Sequence, residues 1–378
     1  MRVLHIGKFL PPHWGGIETH VQVLGENLTR FVDVNLLVAN DNRFTETCSD
    51  GAMLVTRAGT LLNFASTPVC PSMVSAVQKA NADLIHLHLP NPAAIFVYLL
   101  SGFKGPLVVT YHSDTVRHEF LARAFRPFLL QTLNRSAAII VSSKSNIENS
   151  PILTGFKERC RVIPFGISSG EFDHCDAGKV EAIRREYGGP IVLAVGRHVH
   201  YKGLQYLIRA MKRIPARLLL VGEGPLSKQL KKETDSCGLA GRVTFLGAVD
   251  DVAPYYHAAD VFVLPSINRA EAFGIVQLEA MACGKPVVNT QITTAVPTIS
   301  LSGVTGLTVP PAHAEALAAA INLLLDKPDL RRRYGQAARR RFEQEFSVEV
   351  MTDSVLKVYS EALGWPLAAN GARRAQSA

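Results

Sequence analysis

The chain has 378 residues, 47% of them hydrophobic and 19% charged, with a formal net charge of +8 and a pI near 9.2. That length exceeds what one hydrophobic core organises, so two globular domains are expected. The basic balance points to an anionic partner, and without a zinc-finger spacing or an aromatic RNA-binding signature nucleic acid is set aside. Six cysteines without a Cys-x-x-Cys pair set metal centres and disulfides aside. No apolar run reaches the ~20 residues that cross a bilayer. The opening Arg2-Val-Leu-His-Ile6 reads as a strand and not an export signal, so a soluble, unexported chain is expected.

In chain order, apolar strand candidates at 2–6, 32–39, 82–89, 106–112, 137–142 and 161–164 alternate with helical patterns, the signature of a parallel, doubly wound α/β sheet. Working residues of such sheets gather beyond the carboxyl ends of the strands. The first such end is Gly7 to Gly16, followed by a helix with Ile17, Val21, Leu24 and Leu28 at helical spacing. Gly15 and Gly16 at that helix start fit close approach of a phosphate or an acceptor oxygen; read alone, they are equally an ordinary turn. No Gly-x-Gly-x-x-Gly dinucleotide fingerprint is present there. Residues 40–80 read as short strands and loops. In Leu84-Ile-His86-Leu-His88 the histidines share a strand face, but no third ligand is evident and no metal is expected. His112 closes the run from Leu107 at a strand's carboxyl end, with hydrogen bonding to Asp114 as its plain alternative. Residues 115–135 combine Arg117, Arg123, Arg126 and Arg135 with Phe120, Leu121, Phe125, Phe128 and Leu129. They form either a membrane-surface helix or a sheet-packed helix with a solvated basic face, and Pro127 argues against a single straight helix. The polar segment 171–188 reads as the link between domains 1–170 and 189–346.

The second half repeats the alternation, with strands near 190–196, 216–222, 243–248, 261–265, 286–289 and 306–309. Arg197 and Lys202 bracket the first strand-to-helix turn, where a guanidinium fork and an ammonium can reach one diphosphate. Val221-Gly-Glu-Gly-Pro225 and Gly247-Ala-Val-Asp250 are further strand ends. Val261 to Ser266 leads into Glu271-Ala-Phe-Gly-Ile-Val-Gln-Leu-Glu279, with a helix expected from near Gly274 to Cys283-Gly284. Amides of Phe273, Gly274 and Ile275 at that helix start would suit a phosphate, while Glu271 and Glu279 accept hydrogen bonds from sugar and ribose hydroxyls. On its own the segment is as readily a helix with a charged first turn. Helical patterns follow at 313–325, 328–345 and 348–362, then a loose tail from residue 364.

Tyr111-His-Ser-Asp114, Val162-Ile-Pro-Phe-Gly166, Glu271 to Val276 and Gly306-Leu-Thr-Val-Pro-Pro311 resemble, in order, the motifs of the family 4 retaining glycosyltransferases. The whole chain is most similar to mannosyltransferases of O-antigen and exopolysaccharide assembly. The resemblance implies the GT-B fold, two facing Rossmann-like doubly wound domains with an interdomain cleft, and a last helix (347–363) that returns to the first domain. It implies transfer of a hexose, with retention, from GDP-mannose or a UDP-sugar to a lipid-linked glycan at the inner face of the cytoplasmic membrane, without cofactor or metal. His112, Arg197, Lys202 and Glu271 would be catalytic. Gly15, Gly16, Val249, Phe273, Gly274, Ile275, Val276 and Glu279 would complete the nucleotide-sugar site, with Val249 at the base. Phe165 stands where relatives often carry Asn, and Thr293 to Pro297 departs from their Gly-Gly-x-Pro-Glu pattern, so no role is carried to either. A sugar phosphorylase or epimerase on the same architecture, and a non-catalytic nucleotide-sugar-binding partner, are the alternatives.

Overall fold

The computed structural model describes residues 1–13, 15–64, 67–113 and 119–365, with side chains of 119–122 excepted. Asp114 and Arg117, the side chains of Phe120 and Leu121, Ala65 and Ser66 of the weakly patterned stretch, and the tail from 366 lie outside the described residues. The chain divides into two units, Met1–Phe165 with Val348–Ala378, and Gly166–Ser347.

The first unit is built on an eight-stranded sheet. In chain order its strands are β1 (Arg2–Ile6), β2 (Asp33–Ala39), β3 (Glu46–Asp50) and β4 (Met53–Ala58), then β7 (Leu84–Leu89), β8 (Leu107–Tyr111), β9 (Ser136–Val141) and β10 (Cys160–Val162) after a separate hairpin of β5 (Leu62–Phe64) and β6 (Thr67–Val69). The spatial order is β10-β9-β8-β7-β1-β2-β4-β3, parallel except for the exposed edge strand β3. Strands covered on both faces read as continuous apolar runs, which is why most of them stand out in the sequence. One face packs Val3, Leu84, Val108 and Ile140 against Val21, Leu24 and Leu28 of helix Gly16–Leu28 and against Met351, Val355 and Tyr359 of helix Val348–Leu363. The other packs Ile6, Ile85, Leu87 and Val109 against helices that include Pro92–Ser101 and Glu119–Arg135.

Pro127 sits inside the helix Glu119–Arg135 instead of ending it. Its missing amide costs about 3 kcal/mol, and burying Leu133 fully, at roughly 1.5–3 kcal/mol, together with Phe125 and Leu129 partly buried beside it, offsets that loss.

The second unit is a six-stranded parallel sheet of β11 (Ile191–Val195), β12 (Arg217–Val221), β13 (Val243–Gly247), β14 (Val261–Leu264), β15 (Val287–Thr290) and β16 (Gly306–Val309), ordered β13-β12-β11-β14-β15-β16. Reversal of strand order at β11 and β14 puts a topological switch point at their carboxyl ends, where such sheets hold ligands. The stretch 171–188, expected as a link, is instead helical. Helices Gly170–Asp173 and Ala177–Tyr187 belong to this unit. Asp176 caps the second by accepting from the amides of Gly178 and Lys179, and Ile183 is its buried contact. One apolar face under a polar majority leaves too faint a pattern to read as a helix.

Candidate active site

The loops leaving β11, β12 and β13 are joined through their backbones. The Gly196 amide donates to the Val221 carbonyl, His198 to Glu223, Leu226 back to His198, and Gly222 to Gly247. This fixes the turn that carries Arg197 and Lys202. Gly203 then adopts φ +66° against the next strand end, so close that a Cβ would stand 2.1 Å from the Pro265 carbonyl oxygen. Only glycine fits there. The Ile267 amide donates to the Tyr201 carbonyl at 2.8 Å, completing the join.

That join puts Lys202 against Glu271: Nζ lies 2.6 Å from Oε2, and both side chains are about nine-tenths buried. The Ser266 hydroxyl donates to the same carboxylate oxygen at 2.9 Å. The sequence pattern assigns the lysine to a diphosphate and the glutamate to a sugar, and the structure brings them together as one buried ion pair. Arg197, two residues after β11, is exposed.

Gly274 has φ +78°, and a Cβ there would meet Leu264 Cδ2 at 2.7 Å. This left-handed residue stands immediately before the helix, which starts near Gly274 as the sequence pattern places it. The helix is Val276–Ala282, seven residues, with Ile275 as its N-cap. The amides of Gln277 and Leu278 are already taken by the carbonyls of Gly274 and Ile275. These are the amides that follow Phe273, Gly274 and Ile275, whose own amides precede the helix proper on the backbone that joins Glu271 to Glu279. The helix ends as expected, with Gly284 at φ +64°, its amide on the Met281 carbonyl and that of Lys285 on Ala280.

Glu279 receives the Tyr256 hydroxyl on Oε2 at 2.6 Å. Burial pushes its carboxyl above the usual range, opposed by the Tyr256 hydrogen bond and the Lys202 charge and reinforced by Glu171. Both carboxylates thus act on one ammonium. Val276, the first helical residue, receives a second contact from Tyr256 through its carbonyl. Val249 is half-buried in the loop after β13. Tyr256 and Ser266 carry no sequence signal, since neither stands in a motif.

In the first unit, Gly15 is the extended N-cap of helix Gly16–Leu28. A Cβ on Gly15 would lie 2.4 Å from Glu18 Oε2, so a carboxylate already stands at this helix end, which favours a neutral hydroxyl there over a phosphate. His112, at the end of β8, is buried. Its Nε2 lies 3.4 Å from His88 Nδ1, and its ring packs against His20 and Phe165. Phe165, to which the sequence assigns no role, forms a wall of this imidazole's pocket.

Five buried histidines, His5, His20, His86, His88 and His112, share this region, against the expectation that His86 and His88 lack company. Nitrogens of His20, His88 and His112 lie within 4.8 Å of one another, as do those of His5, His86 and His88. In the second group, however, both nitrogens of His86 are engaged, by Tyr359 and Thr110, as are both of His5, by His88 and Tyr359. Burial lowers His5 to about 3 and His20 to about 4, and holds His86, His88 and His112 well below the ordinary 6.5.

Residues 179–341 match the family described as glycosyl transferases group 1, and residues 14–170 match glycosyltransferase family 4. The O-antigen chain mannosyltransferase C of Escherichia coli is 31% identical over 96% of this chain and 99% of its own. The D-rhamnosyltransferase WbpZ of Pseudomonas aeruginosa is 33% identical, covering 92% of each. Among solved structures, the sucrose-phosphate synthase of Thermosynechococcus elongatus superposes with a TM-score of 0.77 at 26% identity, over 96% of this chain and 99% of that one. The chain belongs to the family 4 glycosyltransferases, whose GT-B architecture of two Rossmann-like domains accounts for its two parallel sheets. Its chemistry is glycosyl transfer in polysaccharide or glycolipid synthesis.

Two outcomes follow from this geometry. Below pH 6.5 the unfolded chain takes up protons that the five folded-state imidazoles refuse, so stability is full above that pH and falls as pH drops toward 4. The slope reaches about 1.4 kcal/mol per pH unit for each histidine involved. Urea midpoints across this range measure it, and a flat profile would contradict the neutral cluster. Lys202→Met and Glu271→Gln each leave a buried charge or its partner uncompensated and cost about 3 kcal/mol, whereas the double substitution costs less than their sum. Additive losses would show that the two groups do not interact.

Proposed function

We propose that the protein transfers a mannose-configured hexose from a nucleoside diphosphate sugar to a hydroxyl of a growing, lipid-linked glycan, with retention of configuration. The buried Lys202–Glu271 pair at the switch point of the second sheet is the observation that carries this reading. A donor diphosphate carries more negative charge than a carboxylate, so it draws the Lys202 ammonium toward itself, with Arg197 as a second cation at the same loop. Glu271, still held by Ser266, is then free to accept hydrogen bonds from sugar hydroxyls. Tyr256 occupies Oε2 of Glu279 and leaves Oε1 as an acceptor for ribose hydroxyls.

As the glycosidic bond breaks, charge gathers on the leaving diphosphate, and cations already fixed there lower the barrier. One such contact is worth about 3 kcal/mol. The same oxygens can take the proton of the acceptor hydroxyl as it attacks from the front face. His112 supplies a neutral imidazole to the sugar. In this reading the cations do the charge work of a metal, and no metal or cofactor takes part.

The relatives named mannosyltransferase and D-rhamnosyltransferase support the donor choice, because D-rhamnose is mannose without its 6-hydroxyl. GDP-mannose is the preferred donor and a UDP-sugar the alternative.

Exposed Phe96, Leu100 and Phe128, with Phe96 and Phe128 in ring contact, accompany exposed Arg123 and Arg126 on helix Glu119–Arg135. An apolar patch beside cations is the composition of a surface that rests on an anionic bilayer, so we place the protein peripherally on the inner membrane face. No helix among the described residues is long and apolar enough to cross a membrane.

Lys202→Ala and Glu271→Ala are each expected to cut turnover on the order of a hundredfold or more in protein that remains folded. Unchanged rates in either variant would remove that residue from the site. With wild type, free nucleoside diphosphate plus a lengthened glycan supports transfer, whereas sugar 1-phosphate would establish phosphorolysis. GDP-mannose at about a hundred times its Kd should raise the melting temperature by about 5–10 °C, and a larger rise with UDP-glucose would reverse the donor choice. For the membrane, changing Arg117, Arg123 and Arg126 together to Glu should release the protein from anionic vesicles, and undiminished binding would end that part of the proposal.

A further inference from the structure

A neutral imidazole donates from one nitrogen and accepts at the other, so whatever binds one side decides what the other offers. In the first unit this choice is passed along an unbroken buried chain. His112 Nε2 meets His88 Nδ1 at 3.4 Å, and His88 Nε2 meets His5 Nδ1 at 3.1 Å. His5 Nε2 meets the Tyr359 hydroxyl at 3.1 Å, that hydroxyl meets His86 Nδ1 at 2.6 Å, and His86 Nε2 meets Thr110 Oγ1 at 2.7 Å. Every link needs one proton, and each neutral ring has one to give. Fixing the direction at any link therefore fixes it at all.

The Tyr359 hydroxyl is where the direction is chosen. A phenol O–H is a far stronger donor than an imidazole N–H, and an imidazole nitrogen is a stronger acceptor than a phenol oxygen. Tyr359 thus donates to the nearer His86 Nδ1 and accepts from the more distant His5 Nε2, in keeping with the shorter reach of O–H donors. His86 then donates from Nε2 to Thr110. In the other direction His5 Nδ1 is bare and accepts from His88 Nε2, and His88 Nδ1 accepts from His112 Nε2. The remaining nitrogen, His112 Nδ1, is buried and has no hydrogen-bond partner among the described residues.

We propose that Tyr359, acting through His5 and His88, is a positioning residue that fixes His112 as its Nε2–H tautomer and leaves Nδ1 a bare acceptor for a hydroxyl. This rests on the proposed role of His112 in the transfer reaction. It adds that His112 receives a hydrogen bond from the sugar and does not donate one, and that a hydroxyl on the last helix, far along the chain from His112, sets this. The three nitrogens of His20, His88 and His112 could instead share a divalent ion, which would take both His88 Nδ1 and His112 Nε2 out of the chain.

Nitrogen-15 NMR of histidine-labelled full-length protein tests the proposal, with His112 assigned by comparison with His112→Asn. The expected wild-type signature is a pyridine-like Nδ1 and a pyrrole-like Nε2. Tyr359→Phe, with its fold checked by circular dichroism, should move both shifts toward the average of two tautomers and lower kcat about tenfold with little change in donor KM. If that variant does not fold, His5→Gln severs the same chain one link nearer. A protonated Nδ1 in wild type, an unaltered His112 spectrum in a folded variant, or one equivalent of tightly bound zinc in the purified protein would each overturn the relay. A normal relay spectrum combined with full activity of His112→Ala would instead remove His112 from the reaction and leave the relay standing.

Discussion

An ammonium and a carboxylate 2.6 Å apart, both nearly withdrawn from water, are the constraint on which the second unit depends. Burying two charges costs several kcal/mol per ion before their attraction is counted, so such a pair is poor evidence that stability was the purpose. Its cost becomes intelligible if the pair is a resting state. On the proposed reading, Lys202 is held neutralised until a diphosphate draws it away, and Glu271 is held in place by Ser266 in the meantime. The surroundings serve this arrangement. Gly203 lets two strand ends touch, the Ile267–Tyr201 backbone bond locks them, and the left-handed Gly274 brings Glu271 round before the short helix begins.

Much of this unit can be read from the chain. Parallel strands buried on both faces write themselves as apolar runs, and the residues after each run fall at the carboxyl edge by topology. That Arg197, Lys202 and Glu271 stand at this edge is read from the chain, their roles and that of Glu279 from the family resemblance. The pairing of Lys202 with Glu271 is legible in neither, because it depends on Gly203 meeting the Pro265 carbonyl, a contact between distant parts of the chain that no local pattern encodes. The exact start of the short helix is settled by a related contact. Propensity allows helix from Gly274, but packing against Leu264 and Gln277 imposes a positive φ there, and tertiary contact overrides local preference.

The histidine cluster shows the opposite balance. The alternation in His86-Leu-His88 reveals a shared face, but the partners come from register: His5 lies opposite His86 on β1, and Thr110 lies opposite His88 on β8. Tyr359 arrives from a helix 273 residues beyond His86. Strand register and helix docking are the two quantities a single sequence states least directly, so the sequence shows the members of this cluster without showing that they meet. The segment 171–188 misleads for the converse reason, since a helix with one buried apolar contact and many charges has the composition of a linker.

The two units solve the problem of buried polarity differently, and the difference follows from chemistry. Around Lys202 the second unit keeps full charges close together, as the proposed role toward a diphosphate requires. Around His112 the first unit keeps five titratable rings neutral, which burial accomplishes by lowering their proton affinity, and satisfies most of them through one another. In the proposed reaction a charged imidazolium there would repel the cationic character that develops on a sugar ring as its leaving group departs. A neutral ring with a fixed lone pair can accept a hydroxyl proton without that penalty. In the proposed reaction positive charge is wanted at the phosphate and none beside the sugar ring, and the chain compensates one set of groups with carboxylates and buries the other among its own kind.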